Sequence, residues 1–244
     1  RWMLVLCIGT LTMAVGFAVR IVRHNHPSEG VYIVETLFIL LSPCAFLAQD
    51  YVILPRLAKW LSAEGFLFIN PAKVVKIFVW SDCLTFFLQS SGGGLTAVKN
   101  SKSIPKLGSK IALIGLVIQA LSFGTFTLMA LVFGLRVRSR TPQKWTSYID
   151  TGAETPSDWR MLWLALMWTT VGILIRSVYR IIEYAQGYGG YLATHEGFFY
   201  CLDALPLLLA ISVYIFVWPP LLLNSVCRFG PDRISMTPVK EGQV

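Results

Sequence analysis

The sequence predicts an all-α fold, a polytopic transmembrane helical bundle, and three observations carry that expectation. Of the 244 residues, 55% are hydrophobic and only 14% are charged, against roughly 25% charged in an ordinary soluble domain. Six stretches reach the roughly 20 mostly apolar residues needed to cross a hydrocarbon core. None of them alternates with the period of two that a membrane strand requires, and all are too long to be such strands.

The spans follow in chain order. Span A covers about 2–22, and Arg20 and Arg23 close it. Span B, 31–54, is apolar except for Glu35 near its start, and Pro43 reads as a kink. Span C, 74–97, is entered through Lys73 and Lys76 and closes on LQSSGGGLTA. Span D, 111–135, runs between Lys110 and Arg136, and span E, 159–182, opens on Trp159. Span F, 196–219, contains Pro206, a second kink. Residues 1–219 are therefore expected to form one helical domain, because no connecting loop is large enough to fold alone. A tail, 220–244, is expected to be disordered. Trp2, Trp159, Tyr184, Tyr188, Tyr191 and Trp218 fall near span ends, where amphipathic rings collect at a membrane interface, whereas Trp80 sits deeper.

The chain begins at Arg1 and enters an apolar helix at once, with neither a basic region before it nor a small-residue cleavage site after it. A signal peptide is not indicated. The chain is therefore read as lacking an N-terminal part, with room there for a further helix. Basic residues give an orientation. Arg1, the B–C and D–E connections and the tail carry thirteen, against six on the opposite side: Arg20, Arg23, Lys99, Lys102, Lys106 and Lys110. By the positive-inside rule the side with thirteen, and with it the C-terminus, is cytoplasmic.

Composition and motifs exclude several function classes. A net charge of +8 on so apolar a chain cannot be spread over a water-facing shell, so no nucleic-acid partner is expected. There is no P-loop, H-E-x-x-H, G-x-S-x-G or G-x-G-x-x-G in a fitting context, so neither an enzyme nor a nucleotide cofactor is indicated. Five cysteines lack any C-x-x-C pair and read as small apolar residues; His24 and His26 read as a solvated pair, so no metal is expected. Cys227, just inside the membrane, is a candidate for acylation. The partners expected are membrane lipids, with protein partners left open.

Charged groups inside the spans are the informative feature, since one near the bilayer centre costs about 2.5–3.5 kcal/mol unless it finds a partner or a wet cavity. Span C carries Asp82 and Gln89, D carries Gln119, E carries Arg176, Arg180 and Glu183, and F carries Glu196, Tyr200 and Asp203. Arg176, Arg180 and Glu183 stand at i, i+4 and i+7, as do Glu196, Tyr200 and Asp203, so each set is expected on one helical face. Because E runs outward and F returns, the two sets should meet in the outer half of the bundle. Arg176 and Arg180 should then counter Asp82, Glu196 and Asp203. Two readings stay open: ion pairs that fix helix register, and a site that handles a polar headgroup, an ion or a proton. Gly92, Gly93 and Gly94 leave a helix without side chains on any face, suiting a helix end, close helix packing or a hinge.

These residues resemble the fungal RTA-like family of lipid-translocating exporters over nearly the whole chain. The resemblance rests on IRSVYRIIEYAQGYGGYLATHEGFFYCLDALPLLLA and SDCLTFFLQSSGGG, with further agreement in LSPCAFLAQDYVILPRL, GLVIQ and GFAVR. It departs at Met13, where the family usually has an acid seven positions before the arginine. The resemblance implies a seven-helix plasma-membrane protein that moves amphipathic lipids, sphingoid bases or phospholipids, and confers resistance to toxic lipid-like compounds. It suits equally a receptor-like protein that senses lipid stress. In the transport reading, Asp82, Glu196 and Asp203 are expected to balance a cationic or zwitterionic headgroup.

Overall fold

The computed structural model describes residues 3–25, 28–96, 103–142, 159–187, 192 and 196–219. Within them, α1 spans Leu4–Asn25, α2 Glu29–Trp60, α3 Pro71–Thr96, α4 Ser103–Arg140 and α5 Trp159–Gln186. The sixth predicted span is one continuous helix in three pieces: α6 (Glu196–Phe199), a π-helical turn (Tyr200–Ala204) and α7 (Leu205–Phe216). No strand occurs among the described residues. His26, Cys227, Trp2, Tyr188, Tyr191 and the tail lie outside them.

Five helical stretches, Leu4–Arg23, Ile33–Trp60, Ser103–Arg140, Trp159–Gln186 and Gly197–Phe216, are long and apolar enough to cross a membrane. The protein is therefore an all-α integral membrane bundle. The third predicted span is also a helix, α3, but it is less apolar than these five. That helix has 26 residues and carries Asp82, Gln89, Ser90, Ser91 and three glycines among its apolar side chains. It packs between α2 and α4.

Successive helices run antiparallel, so the bundle has two ends. One end carries Arg20, Glu35, Gly92 and Glu183; the other carries Leu61, Arg136 and Trp159. Toward the Trp159 end the core is solid. Tyr51, Phe78 and Phe126 form a cluster with ring centroids 4.7–5.5 Å apart, and Phe123 closes on Phe126 at 6.1 Å. Leu54, Leu57, Phe133, Leu162 and Leu166 are fully buried around it. Trp159, expected as an interfacial ring, is only 1% exposed; it belongs to this core, packed inside the bundle at the start of α5. Trp80, by contrast, points outward and is 75% exposed.

Small residues bring the backbones together where side chains would hold them apart. A Cβ on Gly92 would stand 2.6 Å from the Gly108 carbonyl oxygen and from the Ala112 nitrogen, so α3 and α4 touch backbone to backbone. A Cβ on Gly172 would meet the Pro206 carbonyl oxygen at 2.8 Å, which seats α5 against α7. Gly134 makes the notch that admits the Trp163 indole, whose Nε1 donates to the Ala130 carbonyl at 3.1 Å. Of the glycine triplet, Gly92 serves packing, Gly93 only grazes Thr36 at 3.6 Å and Gly94 has open space. All three continue the helix to Thr96.

Two prolines shape the site. Pro43 has no N–H to give to the carbonyl four residues back, so within α2 the Ile39 oxygen accepts from the Ser42 hydroxyl at 3.2 Å in place of a backbone donor. Pro206 likewise deprives Leu202, and the ladder adjusts: Leu205 N–H bonds to Tyr200 oxygen, a five-residue step. The added residue in that turn alters which side chains face inward. Gly187, with φ +73°, closes α5 by donating its N–H to the Glu183 carbonyl at 3.2 Å.

Candidate functional site

In the half of the bundle toward Glu35 the helices enclose a cavity of about 330 Å³, within the range of ligand pockets. Its mouth is polar, lined by Arg20, Arg23, Glu35, Glu183 and Tyr184. Its floor is apolar, formed by Leu47, Leu116, Phe123 and Ile173, where the aromatic core begins. Between them lie Arg176, Arg180, Gln89 and Gln119.

The central ion pairs come from α5 and the π turn. Arg180 grips Asp203 with two parallel bonds, Nε to Oδ1 at 2.6 Å and Nη2 to Oδ2 at 3.0 Å. Its Nη1 donates to Glu183 Oε2 at 3.1 Å, one turn along α5. Arg176 Nη1 lies 3.2 Å from Asp203 Oδ2, and its Nη2 donates to the Ile39 carbonyl at 3.1 Å. The oxygen that Pro43 deprives of its backbone donor is thus shared by Ser42 and an arginine from another helix. Asp203 is 0% exposed, so both its oxygens are spent on guanidinium groups, the arrangement that makes such a buried carboxylate tolerable.

A second set closes the mouth. Glu35 of α2 pairs with two arginines of α1, Arg23 Nε at 3.0 Å and Arg20 Nη1 at 3.5 Å. The Phe199 ring joins the two sets: the Arg20 guanidinium carbon sits 4.0 Å from its centroid and that of Arg180 5.2 Å. Deeper, Gln89 Nε2 donates to Gln119 Oε1 at 2.7 Å, linking α3 to α4.

The expected partners are therefore joined in part. Arg176, Arg180, Glu183 and Asp203 come together, and so do Gln89 and Gln119. Asp82 does not join Arg176. It lies about 10 Å along α3 from Gln89, buried beside the Tyr51 hydroxyl of α2. Tyr200 does not share a face with Asp203: it is exposed while Asp203 is buried, because the π turn between them breaks the α-helical register. The side chains of Glu196 and His24 lie outside the described residues.

Sequence reasoning missed two features. The pairing of Glu35 with Arg20 and Arg23 was hidden because the arginines stand at the end of span A, where they read as loop charges. Asp50, in the solid half, is held by hydroxyls: Tyr214 donates at 2.7 Å to Oδ1 and Thr169 at 3.2 Å to Oδ2. A carboxylate in the apolar run around Tyr51 was the available signal. Among the described residues no group of acids, histidines and cysteines is arranged to hold a metal.

Comparison with known proteins gives the chain its family. A family model described as RTA1 like protein matches residues 6–225. Protein RTA1 of Saccharomyces cerevisiae is 33% identical over 228 residues, covering 93% of this chain and 67% of that protein. Protoporphyrin uptake protein 1 of the same yeast is 31% identical over 207 residues, 84% of this chain and 65% of the relative. Sphingoid long-chain base transporter RSB1 of Saccharomyces cerevisiae is 24% identical over 231 residues, 84% of this chain and 60% of the relative. The chain thus spans 60 to 67% of the length of these relatives. No solved structure matches it.

Proposed function

The chain belongs to the RTA1-like family, and from that premise we propose that it moves, or helps to move, an amphipathic lipid such as a sphingoid base or phospholipid across the bilayer. Relatives named as a transporter and as an uptake protein support a role in membrane transport. The observation that carries the lipid reading is the one-ended cavity, with its charged mouth and apolar floor. A headgroup crossing a hydrocarbon core needs a polar lining, whereas its chain is at home in lipid. The mouth lies at the end that the basic-residue count turns outward, so the structure is read as open to the outside, in the plasma membrane, with the C-terminus cytoplasmic. Resistance to toxic lipid-like compounds follows from moving them away from the inner leaflet.

The test is the intact protein in liposomes, with dithionite quenching of fluorescent sphingoid-base and phospholipid analogues. Faster leaflet exchange than in protein-free vesicles, lost in Asp203→Asn, is the expected result. No exchange of any analogue by folded protein sinks the proposal and favours a lipid-sensing protein acting through cytoplasmic partners.

A further inference from the structure

The charges facing the cavity do not match a cationic headgroup. On the described residues they are Arg20, Arg23, Arg176 and Arg180 against Glu35 and Glu183. Asp203, the deepest acid of the cluster, does not line the cavity; it sits behind Arg176 and Arg180 with both oxygens bonded to them. Asp82 does not line it either, lying beyond the floor beside Tyr51. Of the three carboxylates expected to balance an incoming ammonium group, Asp82 and Asp203 thus do not face the cavity, and the side chain of Glu196 lies outside the described residues. An ammonium group would have to pull Asp203 away from two guanidinium groups, leaving Arg180 with Glu183 alone and Arg176 without a carboxylate in a buried place.

From this geometry we propose that the cavity binds its amphipath by an anionic headgroup, a carboxylate or a phosphate, with Arg176 as the headgroup ligand and the hydrocarbon portion on the apolar floor. The inference rests on the transport reading and selects, among the lipids that reading admits, those with acidic heads. Arg176 stands where the polar mouth meets the floor, one turn above Ile173. Its guanidinium carries five N–H groups, of which Nη1 faces Asp203 and Nη2 bonds the Ile39 carbonyl. The remaining donors belong to a fixed planar fork, the shape that carboxylate and phosphate oxygens accept in pairs. Above it, Arg20 and Arg23 are held by Glu35 near the mouth. An arriving anion can take over one of these arginines as it passes, because the exchange trades one oxygen acceptor for another.

The experiment uses the full chain in neutral detergent and measures binding of four probes by thermophoresis. Three share a labelled twelve-carbon chain and end in a carboxylate, a phosphate or a primary amine; the fourth is inorganic phosphate as competitor. The acidic probes should bind about tenfold more tightly than the amine, the scale of one charge-assisted pair. Arg176→Gln should bring the three chains to within about threefold of one another. Arg23→Gln, at the partly exposed mouth, should weaken acidic probes about threefold while leaving the fold in place, and serves if Arg176→Gln does not fold. Failure of inorganic phosphate to displace the acidic chains is expected of a headed lipid; displacement at millimolar concentration overturns the lipid assignment in favour of a free anion.

Equal or tighter binding of the amine probe overturns the proposal, as does a charge preference that survives both substitutions. The same analogues in the liposome assay separate the two levels of inference. If the amine analogue exchanges fastest, transport stands and the headgroup assignment falls. If no analogue exchanges while the acidic probes still bind, the headgroup site stands and transport falls.

Discussion

The halves of this bundle are built from the same helices and solve the problem of buried polarity in opposite ways. Toward Trp159, α2, α4, α5 and α7 close on one another around Tyr51, Phe123, Phe126 and Leu207, and the buried acid Asp50 is satisfied by two hydroxyls. Toward Glu35, arginines hold the acids Asp203, Glu183 and Glu35, and a cavity runs between them. Hydroxyls suit a place without water, because they satisfy a lone pair without bringing a second charge to desolvate. Ion pairs of this density suit a wall that water or a headgroup can reach. The contrast assigns stability to the solid half and ligand handling to the open one, and each substitution below probes that division.

The largest effect is expected at Asp203→Ala. It removes the acceptor of three guanidinium contacts at a position without solvent access, leaving Arg176 and Arg180 short of a carboxylate. Breaking a buried pair by deleting one partner costs about 3–5 kcal/mol. Thermal unfolding in detergent should show that loss, together with loss of leaflet exchange. A folded, equally stable Asp203→Ala protein would show that this wall of the cavity is wet and that the pairs contribute little.

Gly134→Ala probes the solid half. The new methyl would run into the Trp163 indole, which is also pinned by its bond to Ala130. Overpacking of this kind costs about 1–3 kcal/mol. The melting temperature should fall while the preference between acidic and amine probes stays as it was. A changed preference would mean that packing at the Trp159 end sets the shape of the cavity, and the division between halves would fail.

Tyr214→Phe is milder. It deletes the 2.7 Å bond to Asp50 but leaves the bond from Thr169 and nearly all of the packing. A loss of about 1–2 kcal/mol is expected, seen as a lower melting temperature, with exchange per folded molecule unchanged. Altered exchange would place Asp50 on the path and sharpen the question of how the floor opens.

The six helices were legible because hydropathy over twenty residues is a strong signal, and the set Arg176, Arg180 and Glu183 was legible because α5 is regular between Trp159 and Gln186. What failed did so at irregular backbone. Spacing put Tyr200 and Asp203 on one face, but Pro206 turns that stretch into a π turn, and only Asp203 faces inward. Pro43 looked like a bend alone, yet it removes a backbone donor from the Ile39 oxygen, which accepts from Arg176 and Ser42. The partners of Asp50 lie 119 and 164 residues away in sequence, so no local pattern could pair them. Asp82 was paired wrongly for a related reason: a depth estimate places residues at a level, and at that level α3 turns this acid toward α2.

The smallest expected effect has the opposite sign and concerns the glycine triplet. If Gly92, Gly93 and Gly94 together formed a hinge, substitution at any of them would stiffen the same joint. The structure separates them instead. A Cβ on Gly92 strikes backbone atoms of α4 at 2.6 Å, whereas one on Gly94 meets nothing within 4 Å. Gly92→Ala should therefore cost about 1–3 kcal/mol by forcing α3 from α4. Gly94→Ala should stabilise by about 0.5 kcal/mol, since alanine loses less backbone entropy in a helix than glycine. Melting temperatures of the two variants, and exchange rates per folded molecule, decide the matter. A Gly94→Ala protein that melts slightly higher and still exchanges lipid confines the triplet's role to one close contact; a stable Gly94→Ala protein that no longer exchanges lipid restores the hinge at the mouth of the open half.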